Sequence, residues 1–191
     1  MGYLKMSKAV FVTIGYIEWR KGQDVLIEAI ENLPQHILAE TEFLFVGQDS
    51  SVMAHELKKK VANIPNVKIC GTVSRMEIHN ILGNCSMLVC PSREDPMPTV
   101  CAEAMMHHVP CIVSDSTGTS DYIKDGNDGF VFKSEDVKEL SQKIQWCVEH
   151  KDKLQEMGDR AYHIYESFFS EKAFEDKLLG YVEEMIGKAQ V

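Results

Sequence analysis

Met87-Leu88-Val89-Cys90-Pro91-Ser92-Arg93-Glu94-Asp95-Pro96-Met97-Pro98-Thr99-Val100-Cys101-Ala102-Glu103-Ala104-Met105-Met106 holds a strand, a loop and a helix in immediate succession. The strand candidate, Ser86–Cys90, is apolar on consecutive residues rather than alternate ones. Continuous apolarity means burial on both faces, the mark of a parallel sheet covered by helices. Ala9-Val10-Phe11-Val12 reads the same way near the start of the chain. Working outward, the strand candidates are Ala9–Ile14, Glu42–Gly47, Val67–Cys70, Ser86–Cys90, Cys111–Ser114 and Gly129–Phe132.

Helical patterns lie between them. Lys21–Leu33 puts Val25, Leu26, Ala29, Ile30 and Leu33 on one face. Ser74-Arg75-Met76-Glu77 is a capping box that opens a short helix with Ile78, Ile81 and Leu82 inward. Three helices follow the last strand. Val137, Leu140, Ile144 and Val148 line the first, and Leu154, Met157, Ala161, Ile164 and Phe168 the second. The third starts at Ser170 and is expected to bury Phe174, Leu178, Tyr181, Val182 and Met185. Repeated strand and helix predict a doubly wound, Rossmann-like α/β fold. It has a parallel sheet of about six strands, helices on both faces and extra C-terminal helices. No linker, repeat or low-complexity stretch divides residues 1–191, which read as one domain.

The chain has 191 residues, 45% hydrophobic, 26% charged and 8% aromatic, a globular rather than disordered composition. Its 20 Lys+Arg against 29 Asp+Glu give a net charge of −9, and its densest basic run is Lys58-Lys59-Lys60. That run reads as a solvated helix face, so no nucleic-acid partner is expected. No apolar run reaches the length of a membrane span, and Met1 to Ser7 lacks the apolar core of a signal peptide. The six cysteines, at 70, 85, 90, 101, 111 and 147, form no C-x-x-C pair and mostly sit in apolar runs. Free, buried thiols in a cytoplasmic protein fit this better than a zinc site or disulfides.

In an open parallel sheet, ligands bind beyond the carboxyl ends of the strands. Gly15–Gly22 joins the first strand to its helix with a glycine at each end, and Arg20-Lys21 set two cations at a helix start. The helix dipole disfavours cations there unless an anion lies between. A phosphate site and a solvent-exposed basic turn fit this loop equally. Proline is favoured in a first helical turn, so a helix is expected from Pro98. It is apolar nearly all round, so Glu103 within it faces interior or crevice and needs polar partners. Ligand hydroxyls are one solution; backbone amides or Arg93 are the other. Ser114–Asp121, small and hydroxyl-rich, offers amides to a ligand or simply an N-cap. His107 and His108, adjacent on a helix, point about 100° apart and read as helix C-terminal residues, not metal ligands. No G-x-G-x-x-G follows the first strand, so a dinucleotide-binding reading is poor, and no P-loop motif is present, so P-loop chemistry is excluded. An Asp-x-Asp pair that would hold a divalent ion on a diphosphate is also missing.

Taken together, Gly15 to Gly22, Val46-Gly47, Pro91-Ser92 and above all Asp95 with Glu103 resemble the donor half of retaining glycosyltransferases of GT-B architecture. More narrowly, the chain is similar to the large family that includes sucrose synthase and bacterial polysaccharide glycosyltransferases. That family's mark is Glu, seven residues, Glu, then Ala-Met, here written from Asp95 to Glu103-Ala104-Met105. The resemblance implies that Arg20 and Lys21 hold the diphosphate of a nucleoside-diphosphate sugar. Glu103 takes the ribose hydroxyls, and Asp95 the transferred sugar or the developing positive charge. Amides around Met97, Thr99 and Val100 face sugar and diphosphate, Val73 lies against the base, and Gly15, Thr117 and Gly118 complete the donor site. Asp95, Arg20 and Lys21 are the implied catalytic set, for transfer with retention and without metal or other cofactor. The chain departs from the family's pattern at Tyr16, where arginine is common. It departs again at Asp95, one methylene short of glutamate and next to Glu94, and at Pro96 and Pro98, which have no amide hydrogen.

The resemblance further implies that the acceptor domain is absent from this chain, so that the domain alone is inactive and works with such a domain in cis or in trans. Membrane contact is then expected only through those missing parts, with the full enzyme cytoplasmic or peripheral at the membrane. Alternatives are a non-catalytic nucleotide-sugar-binding module and a nucleotide-sugar epimerase or hydrolase. A flavodoxin-like receiver fits poorly, because Tyr16, Trp19, Arg20 and Lys21 stand where its acidic cluster belongs.

Overall fold

The apolar runs become one six-stranded, wholly parallel sheet in a computed structural model that describes residues 8–189, with side chains to Ile186. Met1 to Ser7, and with them the signal-peptide reading, lie outside the described residues. The strands are β1 (Ala9–Ile14), β2 (Thr41–Val46), β3 (Val67–Gly71), β4 (Met87–Cys90), β5 (Cys111–Ser114) and β6 (Phe130–Phe132). Their order is β3-β2-β1-β4-β5-β6. The direction of winding reverses between β1 and β4, and their carboxyl ends flank the crevice where such sheets take ligands.

Consecutive apolar residues split between two cores. Met87, Val89 and Ile112 face one side with Phe11, Phe43, Phe45 and Phe132. Leu88, Cys90, Cys111 and Val113 face the other. The first side is covered by α1 (Gln23–Glu31), α2 (Gln35–Ala39), α3 (Val52–Val61) and α6 (Val137–Glu149). The second is covered by α4 (Arg75–Leu82), α5 (Thr99–Met106) and α7 (Leu154–Ile164). This two-faced burial is the physical reason the strands read as unbroken hydrophobic runs. Ser74 and Glu77 close the expected capping box on α4. Lys58 to Lys60 lie exposed on α3.

Four expectations need correction. The helix from Ser170 exists as α8 (Glu171–Ala189), but its apolar residues are not buried. Phe174 is 67% exposed and Met185 70%, and Leu178, Tyr181 and Val182 are exposed as well. A five-residue wide turn, Tyr165–Phe169, separates α7 from α8, so α8 stands off the two cores and Phe168 stays exposed with it. An open groove of about 550 Å³ lies in the angle between α7 and α8. Cys70 is exposed, because β3 is an edge strand on which Lys68 and Cys70 alternate outward with Val67 and Ile69 inward. Arg20 and Lys21 belong to a separate 3-10 turn, Trp19–Lys21, and not to α1. Ser114–Asp121 likewise leads into a 3-10 turn, Gly118–Tyr122, rather than an α-helix.

The remaining thiols are free, and Cys90, Cys101, Cys111 and Cys147 are buried. Burial pushes the half-buried Cys85 thiol up to about 12. Among the described residues no helix is long and apolar enough to cross a membrane.

Candidate functional site

At the crevice the loop after β1 meets the loop after β4, and two glycines allow it. Gly22 has φ +67, and a Cβ there would stand 2.0 Å from the Pro91 carbonyl oxygen. No side chain fits, so the turn that carries Arg20 and Lys21 lies directly on the end of β4. Gly118 performs the same service for the loop after β5, since its Cβ would stand 1.8 Å from the Pro96 oxygen. There the Gly118 amide donates to the Asp95 carbonyl at 3.0 Å, and the Asp95 amide donates to that of Ser116 at 3.3 Å. Ser114 Oγ donates to the Ser92 carbonyl and draws the same two loops together.

The centre of this junction is charged. Lys21 Nζ donates to Asp95 Oδ2 at 2.5 Å, with the side chains 21% and 9% exposed. Arg20 is more open; it reaches the Glu94 carbonyl and Glu18 Oε1, each at 3.1 Å. Beneath the pair lies a cavity of about 10 Å³, lined by Thr13, Gln23, Ser92 and Asp95 among others. That is room for about one water. Gln23 is 2% exposed and donates to the Tyr16 carbonyl at 2.8 Å, yet its Oε1 has no partner among the described residues. A buried acceptor without a donor is unfavourable, so this oxygen marks a place for a hydrogen-bonding group.

The capping of the helices sets one half of the sheet edge apart. α3, α4 and α6, which follow β2, β3 and β6, accept N-terminal amides with Ser51, Ser74 and Asp136. α1, α5 and the Gly118–Tyr122 turn, which follow β1, β4 and β5, have no side-chain cap. Helical starts leave amide donors that need partners, and uncapped ones favour an anion. α2 and α7 also lack a side-chain cap, but these three uncapped starts are the ones that follow β1, β4 and β5 at the crevice.

The structure therefore brings Gly15, Arg20, Lys21, Asp95, Thr117 and Gly118 to one junction. Thr117 is buried and bridges to Asp95. Met97 and Thr99 are exposed and Val100 half-buried on the same loop and helix start. Pro98 immediately precedes α5 in extended backbone instead of forming its first residue. Val73 follows β3, two strands away from β1, or roughly 10 Å across the sheet. Glu103 is half-buried and its carboxylate makes no hydrogen bond among the described residues; burial holds the nearby His107 below the ordinary imidazole pKa, with Glu103 acting in the opposite direction. Arg93 does not satisfy it, because that guanidinium is committed elsewhere. Arg93 grips both Asp24 oxygens at 2.9 and 2.8 Å, Glu135 at 2.7 Å and the Trp19 carbonyl at 2.6 Å.

Sequence reasoning missed Gln23, and it missed Arg93 with Asp24 and Glu135. An interior polar residue inside an otherwise apolar helical face was the available signal for Gln23; the Arg93 set spans too much sequence to leave one. His107 closes α5, and its Nε2 lies 2.9 Å from Nδ1 of His79 in α4. Among the described residues no group of three or more His, Cys, Asp or Glu is placed to hold a metal ion.

A family model described as "Glycosyl transferases group 1" matches residues 3–164. The chain is 24% identical over 159 residues to an uncharacterized glycosyltransferase of Methanocaldococcus jannaschii, covering 83% of this chain and 44% of that protein. It is 26% identical over 144 residues to the lipopolysaccharide glucosyltransferase WaaG of Escherichia coli, covering 73% of this chain and 38% of WaaG. Among solved structures, Alr3699/HepE of Anabaena in complex with UDP superposes with a TM-score of 0.82 at 19% identity, covering 93% of this chain and 49% of that one. The chain thus spans less than half the length of each of these proteins.

Proposed function

The chain belongs to the glycosyl transferases of group 1, and from that premise we propose that it is the donor-binding half of a retaining glycosyltransferase acting on a nucleoside-diphosphate sugar. The observation that carries the reading is the clustering of three uncapped helical starts around Lys21 and Asp95. A diphosphate needs cations and free amides together, and this junction offers both. Arg20, Lys21 and the first amides of α1 and α5 receive the diphosphate. Asp95, released from Lys21 as the phosphates arrive, turns its carboxylate to the sugar hydroxyls or to the charge that develops at the anomeric carbon. Glu103 accepts the ribose hydroxyls, which supply the partners it lacks. Met97, Thr99 and Val100 contribute backbone contacts, Thr117 and Gly118 close the far wall, and Gly15 lets the phosphates approach. Val73 lies against the base.

The chemistry is departure of the nucleoside diphosphate through an oxocarbenium-like transition state. Preorganised cations and helix termini stabilise the charge on the leaving group, so the reaction needs no metal. UDP is present in the Anabaena structure, and WaaG is a lipopolysaccharide glucosyltransferase; both support a role in polysaccharide or glycoconjugate synthesis. The acceptor is held by a second domain, in cis or in trans, and the domain alone is inactive. The exposed apolar face of α8 gives that second domain a surface to cover. The enzyme works in the cytoplasm, and membrane contact comes only through parts outside this chain.

Calorimetric titration of UDP, GDP and ADP in chelator-treated buffer tests the reading. One of them is expected to bind without metal. No binding, or binding that returns only with a divalent ion, overturns it.

A further inference from the structure

The donor-site reading assigns no role to Arg93, which holds the Trp19–Lys21 turn by its backbone, its guanidinium and a ring contact. Its backbone amide donates to the Arg20 carbonyl at 2.8 Å. Its guanidinium donates to the Trp19 carbonyl at 2.6 Å, and its central carbon lies 4.8 Å from the centroid of the Trp19 ring. The other arms of the fork are anchored on two further elements. Asp24, in the first turn of α1, takes it bidentately. Glu135, in the turn between β6 and α6, takes Nε at 2.7 Å. Glu135 makes this contact from φ +66, backbone that a non-glycine residue adopts only at a cost. The Arg93 side chain is only 11% exposed, and two carboxylates offset its charge. It is therefore not a spare cation for an anionic ligand.

The Trp19–Lys21 turn has no cap of its own and is closed by two amides, Lys21 to the Glu18 carbonyl at 2.9 Å and Gly22 to that of Trp19 at 3.2 Å. A short turn so closed moves unless something outside holds it. We propose that Arg93 is a positioning residue that locks the Trp19–Lys21 turn onto the end of β4, so that Arg20 and Lys21 face the diphosphate of the donor. The inference rests on the donor-site reading for its consequence, but not for the lock itself. A planar fork with several fixed donors is needed to hold three partners in one geometry; an ammonium has the charge without the fork.

Arg93→Lys in the full chain tests both halves, with Glu135→Gln as a milder second variant that leaves the Asp24 contact intact. In ligand-free protein, hydrogen exchange at the Lys21 and Gly22 amides is expected to quicken by about tenfold in Arg93→Lys, with the β1 and β4 amides unchanged. Among UDP, GDP and ADP, the diphosphate that wild type binds is expected to lose about tenfold in affinity, and its parent nucleoside, followed by NMR, less than about twofold. Glu135→Gln should move both readouts the same way by less. Unchanged exchange at the turn overturns the lock. Equal losses for diphosphate and nucleoside overturn the positioning of Arg20 and Lys21. Absence of diphosphate binding in wild type refutes the donor-site reading instead, and the exchange result still decides whether Arg93 holds the turn.

Discussion

Lys21→Met and Asp95→Asn should differ in cost, because the two partners are not equally buried. The Asp95 side chain is 9% exposed and Lys21 21%, across a contact of 2.5 Å. Removing Lys21 strands a carboxylate that has no other side-chain partner among the described residues. Removing one member of a fully buried pair costs about 3–5 kcal/mol. Water reaches this pair from the Lys21 side, so about 2–3 kcal/mol is the expected loss. For a chain of this length that is a fall of about 4–12 °C in melting temperature. Asp95→Asn leaves an ammonium that water can reach and an amide oxygen that still accepts, and should cost about 1 kcal/mol. The double variant contains neither charge and should recover about 1–2 kcal/mol relative to the sum of the singles. Affinity should behave otherwise. The double variant should bind nucleoside diphosphate as poorly as Lys21→Met, a loss of about 1.5–3 kcal/mol or one to two decades. Urea denaturation and calorimetry on all four proteins supply the cycle. Additive stability losses would mean that the pair is not coupled in solution. Recovery of diphosphate affinity in the double variant would mean that Lys21 merely props up Asp95.

Glu103→Gln should leave stability within about 0.5 kcal/mol, because the carboxylate makes no hydrogen bond to lose, and should weaken nucleotide binding by about 1–3 kcal/mol; a lower melting point with unchanged affinity makes Glu103 structural. Gly118→Ala puts a methyl into the Pro96 oxygen at 1.8 Å, so the loops after β4 and β5 must part, at about 1–3 kcal/mol of stability together with weaker donor binding; a neutral substitution by both measures would show that these loops do not need to touch. Acid should act through Asp24. Burial raises its pKa, but the hydrogen bond and charge of Arg93 outweigh that and hold it below the ordinary value. A lowered folded-state pKa gives stability that is full above the unfolded value of about 3.9 and is lost as pH falls through the folded value beneath it. Denaturation curves from pH 5 to pH 2 should therefore converge for wild type and Asp24→Asn as pH falls, and curves that stay parallel would remove Asp24 from the acid response.

Local features were readable and long-range ones were not. β4 and β5 showed themselves as unbroken apolar runs because each faces two cores, and Ser74 with Glu77 announced the start of α4 three residues apart. Each glycine-flanked loop could be singled out alone, since a tight turn needs glycine wherever the loop goes. What no local pattern contained was the meeting of Lys21 with Asp95, 74 positions apart, or of Arg93 with Asp24 and Glu135. Those contacts exist only after the sheet orders its strands. Helix α8 failed for a different reason: an amphipathic pattern says that a face wants cover, not that this chain supplies it. Cys70 was misplaced although the alternation of Lys68 and Cys70 with Val67 and Ile69 was there to mark an edge strand.

The uneven capping has a consequence for anyone who wants a hardier version of this domain. A hydroxyl or carboxylate at an empty N-cap commonly adds about 0.5–2 kcal/mol, and Pro98 before α5 is such a vacancy. A selection for heat resistance would find a gain at that position, as it would not at α3, α4 and α6, which are already furnished. The new side chain would then occupy the amides that a phosphate requires. Gains in robustness and losses in affinity should be inherited together there, and screens that score survival alone would enrich well-folded, idle proteins.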